Sequence, residues 1–303
     1  MMKNSKFVWV IAIAIIICVI PNLKELVSSK ENEWKRAIYQ KGMNEPYISG
    51  EAAIVLNQQS EKVLFSKNEH EKLYPASTTK IMTALLAIEK GDLEDVIMVG
   101  KEVSLKESGE STAYLQKGQT LTLKQLLSGL MLPSGNDAAR TIAIYVANKE
   151  KPGLSNKKAM EYFVSLMNKR AKELGANESN FMNPHGLHHK NHFSTAYDLV
   201  KIASEAMKHQ EFQEIVNQKM YRDSELTYSN RNKLLDDDND YFYKGANGVK
   251  TGYTDEAGYC LVSSATRKNQ NVIAVVLHST KNDVWSDSIN LLDYGFSSVK
   301  TSN

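Results

Sequence analysis

The stretch that most constrains this chain is Tyr74-Pro75-Ala76-Ser77-Thr78-Thr79-Lys80-Ile81-Met82-Thr83-Ala84-Leu85-Leu86-Ala87-Ile88. Pro75 suits the first turn of a helix and Gly91 its end. Between them Ile81, Met82, Ala84, Leu85, Leu86, Ala87 and Ile88 leave almost no polar face, so the helix must run through a core rather than lie on one. At its N-terminal end Ser77 and Lys80 stand three residues apart, on one face and within reach of each other. The hydroxyl also lies where the helix dipole is positive, which favours a developing alkoxide. A nucleophile thus stands beside a possible base. The same spacing recurs at Ser155 and Lys158 and at Ser297 and Lys300, in surroundings that suggest no chemistry. A serine at a helix start is also what a capping residue looks like, so the pair alone leaves both readings open.

The 303 residues, with 42% hydrophobic and 24% charged side chains, suit one large globular domain or two modest ones. A net charge of +2 with scattered basic residues speaks against a nucleic-acid partner. Residues 1–6 are basic and residues 7–20 form an unbroken apolar run. The run is shorter than the ~20 residues of a comfortable spanning helix, which favours the core of a signal peptide. Val27-Ser28-Ser29, the best cleavage site, lies far downstream, so an uncleaved anchor extended by Leu23 is the alternative. Either places the body outside the cytoplasm, secreted or held at the outer face of the cytoplasmic membrane. We therefore divide the chain into a leader or anchor (1–29), a polar tether (30–47) and a folded domain (48–300). Cys18 sits in the apolar run and Cys260 in an expected strand, too far apart in kind to form a disulfide framework.

Within the domain, residues 51–56 and 62–66 read as a hairpin, and residues 248–254, 258–266 and 271–279 as three successive antiparallel strands. Trp285 to Tyr294 reads as a closing amphipathic helix. Thr122 and Gln125 match a capping box, and Leu123, Leu126, Leu127, Leu130 and Met131 continue at helical spacing until Pro133. Ser134-Gly135-Asn136 then falls in a tight turn before a helix from Asp137 to Ala147, as caps of that helix or as functional groups on a rigid loop. Asn156 is expected to cap a further helix that Gly175 closes. Thr195-Ala196-Tyr197-Asp198 opens another, through about Lys208. The polar region after Gly91 through Gly118, including residues 107–111, has loop chemistry, weak periodicity and no locally legible role. Four of the seven histidines lie in Asn183-Pro184-His185-Gly186-Leu187-His188-His189-Lys190-Asn191-His192. The spacing invites a metal reading, but no carboxylate or cysteine nearby completes a ligand set. Asp236-Asp237-Asp238-Asn239-Asp240 reads most simply as a solvated acidic loop, with calcium affinity as the alternative. In Lys250-Thr251-Gly252 the glycine removes a side chain and lets a ligand approach the strand.

Ser77-x-x-Lys80, Ser134-Gly135-Asn136 and Lys250-Thr251-Gly252 together match, in order, the motif set of penicillin-binding proteins and class A β-lactamases. With Tyr74-Pro75-Ala76, Asp137-Ala138-Ala139, Asn183-Pro184-His185-Gly186-Leu187 and Gly248-Val249 to Tyr253-Thr254, the chain resembles the D-alanyl-D-alanine carboxypeptidases. These are low-molecular-mass penicillin-binding proteins of the S11 peptidase family, and the resemblance covers residues 48–296. It implies an α/β (α+β) fold of the β-lactamase/transpeptidase type: about five antiparallel strands, the first two joining the last three, with helices on both faces. It implies Ser77 as nucleophile toward the D-Ala-D-Ala bond of peptidoglycan stem peptides, Lys80 as base and Ser134 as proton relay. Asn136 would bind a substrate amide, and Lys250 and Thr251, with Gly252 beside them, the terminal carboxylate. The Ser77 and Tyr253 N–H groups would form the oxyanion hole. β-Lactams would acylate the serine, and no metal or organic cofactor is required. Two features depart from the pattern. Gly135 replaces an aspartate, and the chain ends soon after its closing helix, where many members continue into a β-rich domain and an amphipathic tail. Membrane attachment is therefore expected through the N-terminal segment if that is uncleaved. A β-lactamase, which differs in deacylation, and a catalytically silent wall-binding module are the competing readings.

Overall fold

The computed structural model describes residues 45–300. The expected leader or anchor, Cys18 and most of the tether lie outside the described residues. The chain divides into two units, residues 1–49 and 50–303, and the second holds the architecture that follows. Among the described residues no helix is long and apolar enough to cross a membrane.

In chain order come β1 (Ala52–Asn57), β2 (Lys62–Lys67), α1 (Lys80–Lys90), β3 (Val96–Met98), β4 (Thr120–Thr122), α2 (Leu123–Met131), α3 (Asn136–Glu150), α4 (Asn156–Glu173), α5 (Ala196–Ala206), α6 (Gln210–Val216), β5 (Met220–Arg222), β6 (Thr227–Ser229), β7 (Ala246–Thr254), β8 (Gly258–Arg267), β9 (Gln270–Ser279) and α7 (Asp283–Lys300). The main sheet is antiparallel in the order β2-β1-β9-β8-β7, so the first two strands do join the last three. Ile54 of β1 and Val262 of β8 both stand opposite Val275 of β9, which fixes the register at the apolar centre. β1 is buried along its whole length, and so are residues 272–277 of β9. A strand with no exposed alternate residues must be covered on both faces. Here α7 covers one face, and α5 and α6 pack on the other.

Helix α1 is enclosed by α2, α3, α4, α5 and α6, and its residues 80–87 are all buried, as its lack of a polar face requires. It begins later than its sequence suggests. Ala76 is held at φ +46°, which interrupts regular α geometry, and Ala76–Thr79 form a 3-10 turn that precedes Lys80. Ser77 therefore stands on a tight turn in front of the helix. The capping box of α2 is present, with Thr122 Oγ1 accepting from the Gln125 N–H and Gln125 Oε1 accepting from the Thr122 N–H. Asn156 is not a cap: it is the first residue of α4, and its amide reaches Glu102 instead. Helix α6, two turns long, and the two-stranded sheets β3–β4 and β5–β6, whose strands have three residues each, were not expected, because each is too short for its own period to show.

Candidate active site

The ammonium of Lys80 is wholly buried and meets three acceptors: Ser77 Oγ at 2.9 Å, Asn136 Oδ1 at 2.7 Å and the His185 carbonyl at 2.7 Å. A charge so deep costs several kcal/mol unless it is paired, and none of these three acceptors is an anion. Burial first, and then the Lys250 cation, push the Lys80 pKa well below its ordinary value; Arg231 and Arg140 act the same way, and Glu110 opposes them. The geometry suits the neutral amine. Two N–H bonds can be kept by Asn136 and His185 while the lone pair faces the Ser77 hydroxyl.

The turn before α3 does not cap the helix with either of its polar side chains. Gly135 occupies the N-cap position and no side chain caps the helix. Asn136 Oδ1 faces Lys80 and its Nδ2 donates to Glu110 Oε2 at 3.2 Å. Ser134 has φ +69°, is 2% exposed, and its Oγ has no hydrogen-bond partner among the described residues, an arrangement that costs energy unless a ligand completes it. The glycine between them has a steric cause: a Cβ at residue 135 would lie 2.8 Å from both the nitrogen and the Cβ of Ala113. That approach is held by Asp137, which accepts from the Ala113 N–H (2.8 Å), the Leu115 N–H (3.0 Å) and Thr112 Oγ1 (2.5 Å). The loop that was illegible in sequence is thereby clipped to the start of α3, and the Asn136 N–H donates to the Ser111 carbonyl at 2.9 Å.

On the edge strand β7, Lys250 is 2% exposed and donates to the Thr251 carbonyl at 3.1 Å. Burial, followed by the nearby Arg231 cation, lowers its pKa to about 7. Gly252 gives room to protein packing: a Cβ there would sit 3.1 Å from the Ser77 nitrogen and 3.1 Å from the Pro75 carbonyl oxygen, so the neighbouring turn would have to give by a few tenths of an ångström. The missing side chain lets β7 close on the Ser77 turn. Tyr253 is half exposed, and its hydroxyl donates to Asp255 Oδ1 at 2.8 Å.

Residues 183–187 contribute a backbone carbonyl, not a side chain, to the centre. Asn183 Oδ1 accepts from the N–H groups of His185 and Gly186, the Pro184 carbonyl accepts from Thr83 Oγ1 at 2.6 Å, and His185 presents its carbonyl to Lys80. His192 is bound at both ring nitrogens. The Met182 N–H donates to its Nδ1, which leaves the proton on Nε2 to be given to Thr79 Oγ1 at 2.9 Å, and burial lowers its pKa to about 3. Asp198 Oδ2 accepts from the Glu178 N–H and from Ser179 Oγ, a structural role. Cys260 is buried, and burial raises its thiol pKa to about 12, so it stays protonated.

Ser77, Ser134, Asn136, Thr251 and Tyr253 line a cleft of ≈ 520 Å³, with Lys80, Lys250 and Gly252 immediately behind its wall. All eight residues singled out in the sequence meet here. Glu110, Arg140 and Arg231, which belong to no motif, join them, and so does His185 of the 183–187 stretch, through its backbone carbonyl. Arg231 lines the cleft and donates to Ser111 Oγ at 2.8 Å. Of the three without a motif only Arg140 carries a local signal, as a charge one turn after Asn136 on a helix with an otherwise apolar inner face.

Residues 39–281 match the model of the Peptidase S11 family, described as D-alanyl-D-alanine carboxypeptidase. The chain is 36% identical over 259 residues to the Bacillus subtilis (strain 168) D-alanyl-D-alanine carboxypeptidase DacF, covering 82% of this chain and 63% of the relative's length. The crystal structure of the Streptomyces K15 DD-transpeptidase superposes with a TM-score of 0.76 at 35% identity, over 84% of this chain and 99% of that one. Penicillin-binding protein D2 from Listeria monocytogenes, solved with cefotaxime bound, gives 0.70 at 27% identity, over 82% and 98%. With three motifs gathered on one cleft in this fold, and the family model spanning most of the sequence, the chain belongs to the S11 family of D-alanyl-D-alanine carboxypeptidases.

Proposed function

We propose that this protein is a serine-type D-Ala-D-Ala carboxypeptidase that removes the terminal D-alanine of peptidoglycan stem peptides outside the cytoplasm. The observation that carries the proposal is the buried Lys80 amine, 2.9 Å from Ser77 Oγ and held by two neutral carbonyl oxygens. Neutral Lys80 takes the Ser77 proton as Oγ adds to the carbonyl carbon between the two D-alanines. The Ser77 and Tyr253 N–H groups hold the oxyanion. The C–N bond then breaks as the leaving amine receives a proton through Ser134, whose hydroxyl has no partner among the described residues. Water hydrolyses the resulting ester. Asn136 orients the substrate amide, and Lys250 and Thr251 receive the terminal carboxylate. The decisive experiment is incubation with diacyl-L-Lys-D-Ala-D-Ala: free D-alanine should appear with the native protein and not with Ser77→Ala. No release from the native protein would overturn the assignment.

A β-lactamase would need a carboxylate to activate water on the acyl-enzyme, and residues 183–187 bring none. Four carboxylates line the cleft: Glu110 is engaged by Arg140 and Asn136, Asp255 by the Tyr253 hydroxyl, Glu256 lies 3.8 Å from His188, and Glu107 is exposed on its loop. Penicillin should therefore leave a single adduct on Ser77 that persists for minutes in intact-protein mass spectrometry and is absent in Ser77→Ala. Rapid hydrolysis of penicillin with no trapped adduct would favour the β-lactamase.

Lys250 sets a further expectation. It must be protonated to attract a carboxylate, and its pKa in the free protein is about 7. kcat/KM for a free-carboxylate substrate should fall as pH rises through about 7, a limb that an amidated analogue lacks. Lys250→Ala should remove that limb and cost the free-carboxylate substrate roughly tenfold or more, while changing the amidated one little. Equal losses for both substrates would mean that Lys250 does not read the carboxylate.

A further inference from the structure

The loop of residues 107–111 and the helix α3 each send one charged side chain inward beside the cleft. Arg140 grips Glu110 with both arms of its guanidinium, Nη1 to Oε1 at 3.0 Å and Nη2 to Oε2, and the two side chains are 3% and 0% exposed. This is a fully desolvated, bidentate pair, far from the surface pairs that contribute little. It does not stand alone. Glu110 Oε2 also accepts from Asn136 Nδ2, and Asn136 Oδ1 is the acceptor that holds Lys80. An asparagine amide can be turned over with little change of shape, exchanging oxygen for nitrogen. In the turned arrangement an N–H₂ would face the Lys80 amine, and the acceptor would be lost. A carboxylate can only accept, so Glu110 admits one orientation of the Asn136 amide: nitrogen toward itself, oxygen toward Lys80.

We infer that Glu110 and Arg140 form a positioning pair that locks the Asn136 amide and, through it, the Lys80 amine against Ser77. Neither side chain touches the reacting atoms. Arg140 holds the carboxylate, the carboxylate orders the amide, and the amide aims the base. The inference rests on the reading of Lys80 as base. The groups that face Lys80 are Lys250 on β7, Arg231 after β6, Arg140 on α3, Glu110 on the loop, and His185 and Asn136 at contact. Glu110 is the sole anion in that set, and Arg140 is paired with it, so Lys250 and Arg231 are the cations left unopposed around Lys80.

The test separates position from charge by following the rate of acylation by a fluorescent penicillin against pH. Glu110→Asp keeps the charge but is one methylene too short to grip Arg140 and reach Asn136 together. It should label about tenfold more slowly, with the pH at which labelling rises unchanged. Glu110→Gln removes the anion that opposes the depressed Lys80 pKa. Activity needs neutral Lys80 and rises as pH climbs through that pKa, so the rise should move to lower pH by about one unit. Arg140→Lys, which keeps the cation but loses the fork, should behave as Glu110→Asp does. If Glu110→Gln does not fold, the two charge-conserving variants decide the matter. Labelling of all folded variants at the native rate, with the native pH dependence, would overturn the pair's role. Absence of labelling in the native protein would instead overturn the functional reading beneath it.

Discussion

Replacement of Lys80 by arginine should abolish acylation of Ser77, lowering the rate of penicillin adduct formation by roughly 10³-fold or more. Arginine stays protonated throughout the accessible pH range, so it can fill the site but cannot take a proton. Lys80→Met provides the complementary case: it is neutral and of similar length but has no lone pair basic enough to serve. Its cost to folding should be about 1–3 kcal/mol, because Asn136 Oδ1 and the His185 carbonyl lose their buried donor. Both variants should show cooperative melting and no adduct in intact-protein mass spectrometry. In the native protein the rate should rise with pH through the depressed Lys80 pKa and vanish in acid, where the amine is charged. Adduct formation at the native rate in either variant would remove Lys80 from the mechanism.

A single methyl group at Gly186 should be nearly as damaging, by a steric route. Gly186 has φ +86°, and a Cβ there would lie 1.8 Å from the Ala76 carbonyl oxygen and 2.4 Å from its carbonyl carbon. Backbone cannot rotate away as the end of a side chain can. Gly186→Ala must push apart the segment of residues 183–187 and the turn that carries Ser77, at a cost of about 3 kcal/mol or more. The melting temperature should fall by roughly 6–12 °C. Activity should fall further than stability accounts for, because the displaced segment also provides the His185 carbonyl that holds Lys80. A fully active Gly186→Ala protein with unchanged melting would show that the turn can yield. That would remove the rigidity on which the mechanism depends.

These two positions differ in how far sequence could have identified them. The apolar run after Lys80 dictated a buried helix, because no orientation of it leaves a polar face for water. The turn residues and β-branched runs dictated the five strands, while the cover on both faces followed from the resemblance and shows in the structure as the continuous burial of β1 and of residues 272–277. The three motifs, each weak alone, dictated the chemistry once read together, since a hydroxyl three residues before a lysine is a local relation, which the 3-10 turn leading into α1 satisfies. What sequence could not supply was everything made by contact across the chain. Lys80 and Asn136 are 56 residues apart, and Lys80 and His185 are 105 apart. Glycine spacing says that room is needed, but not for what: Gly135 makes room for Ala113, Gly186 for Ala76 and Gly252 for the Ser77 turn. Glu110 lay in a loop with no period and no motif, and its role exists only because Asp137 clips that loop beside α3 and Arg140 meets it there. Local spacing fixed which groups are present; only folding decided which are dry, which are paired, and therefore which lysine can be neutral enough to act as a base.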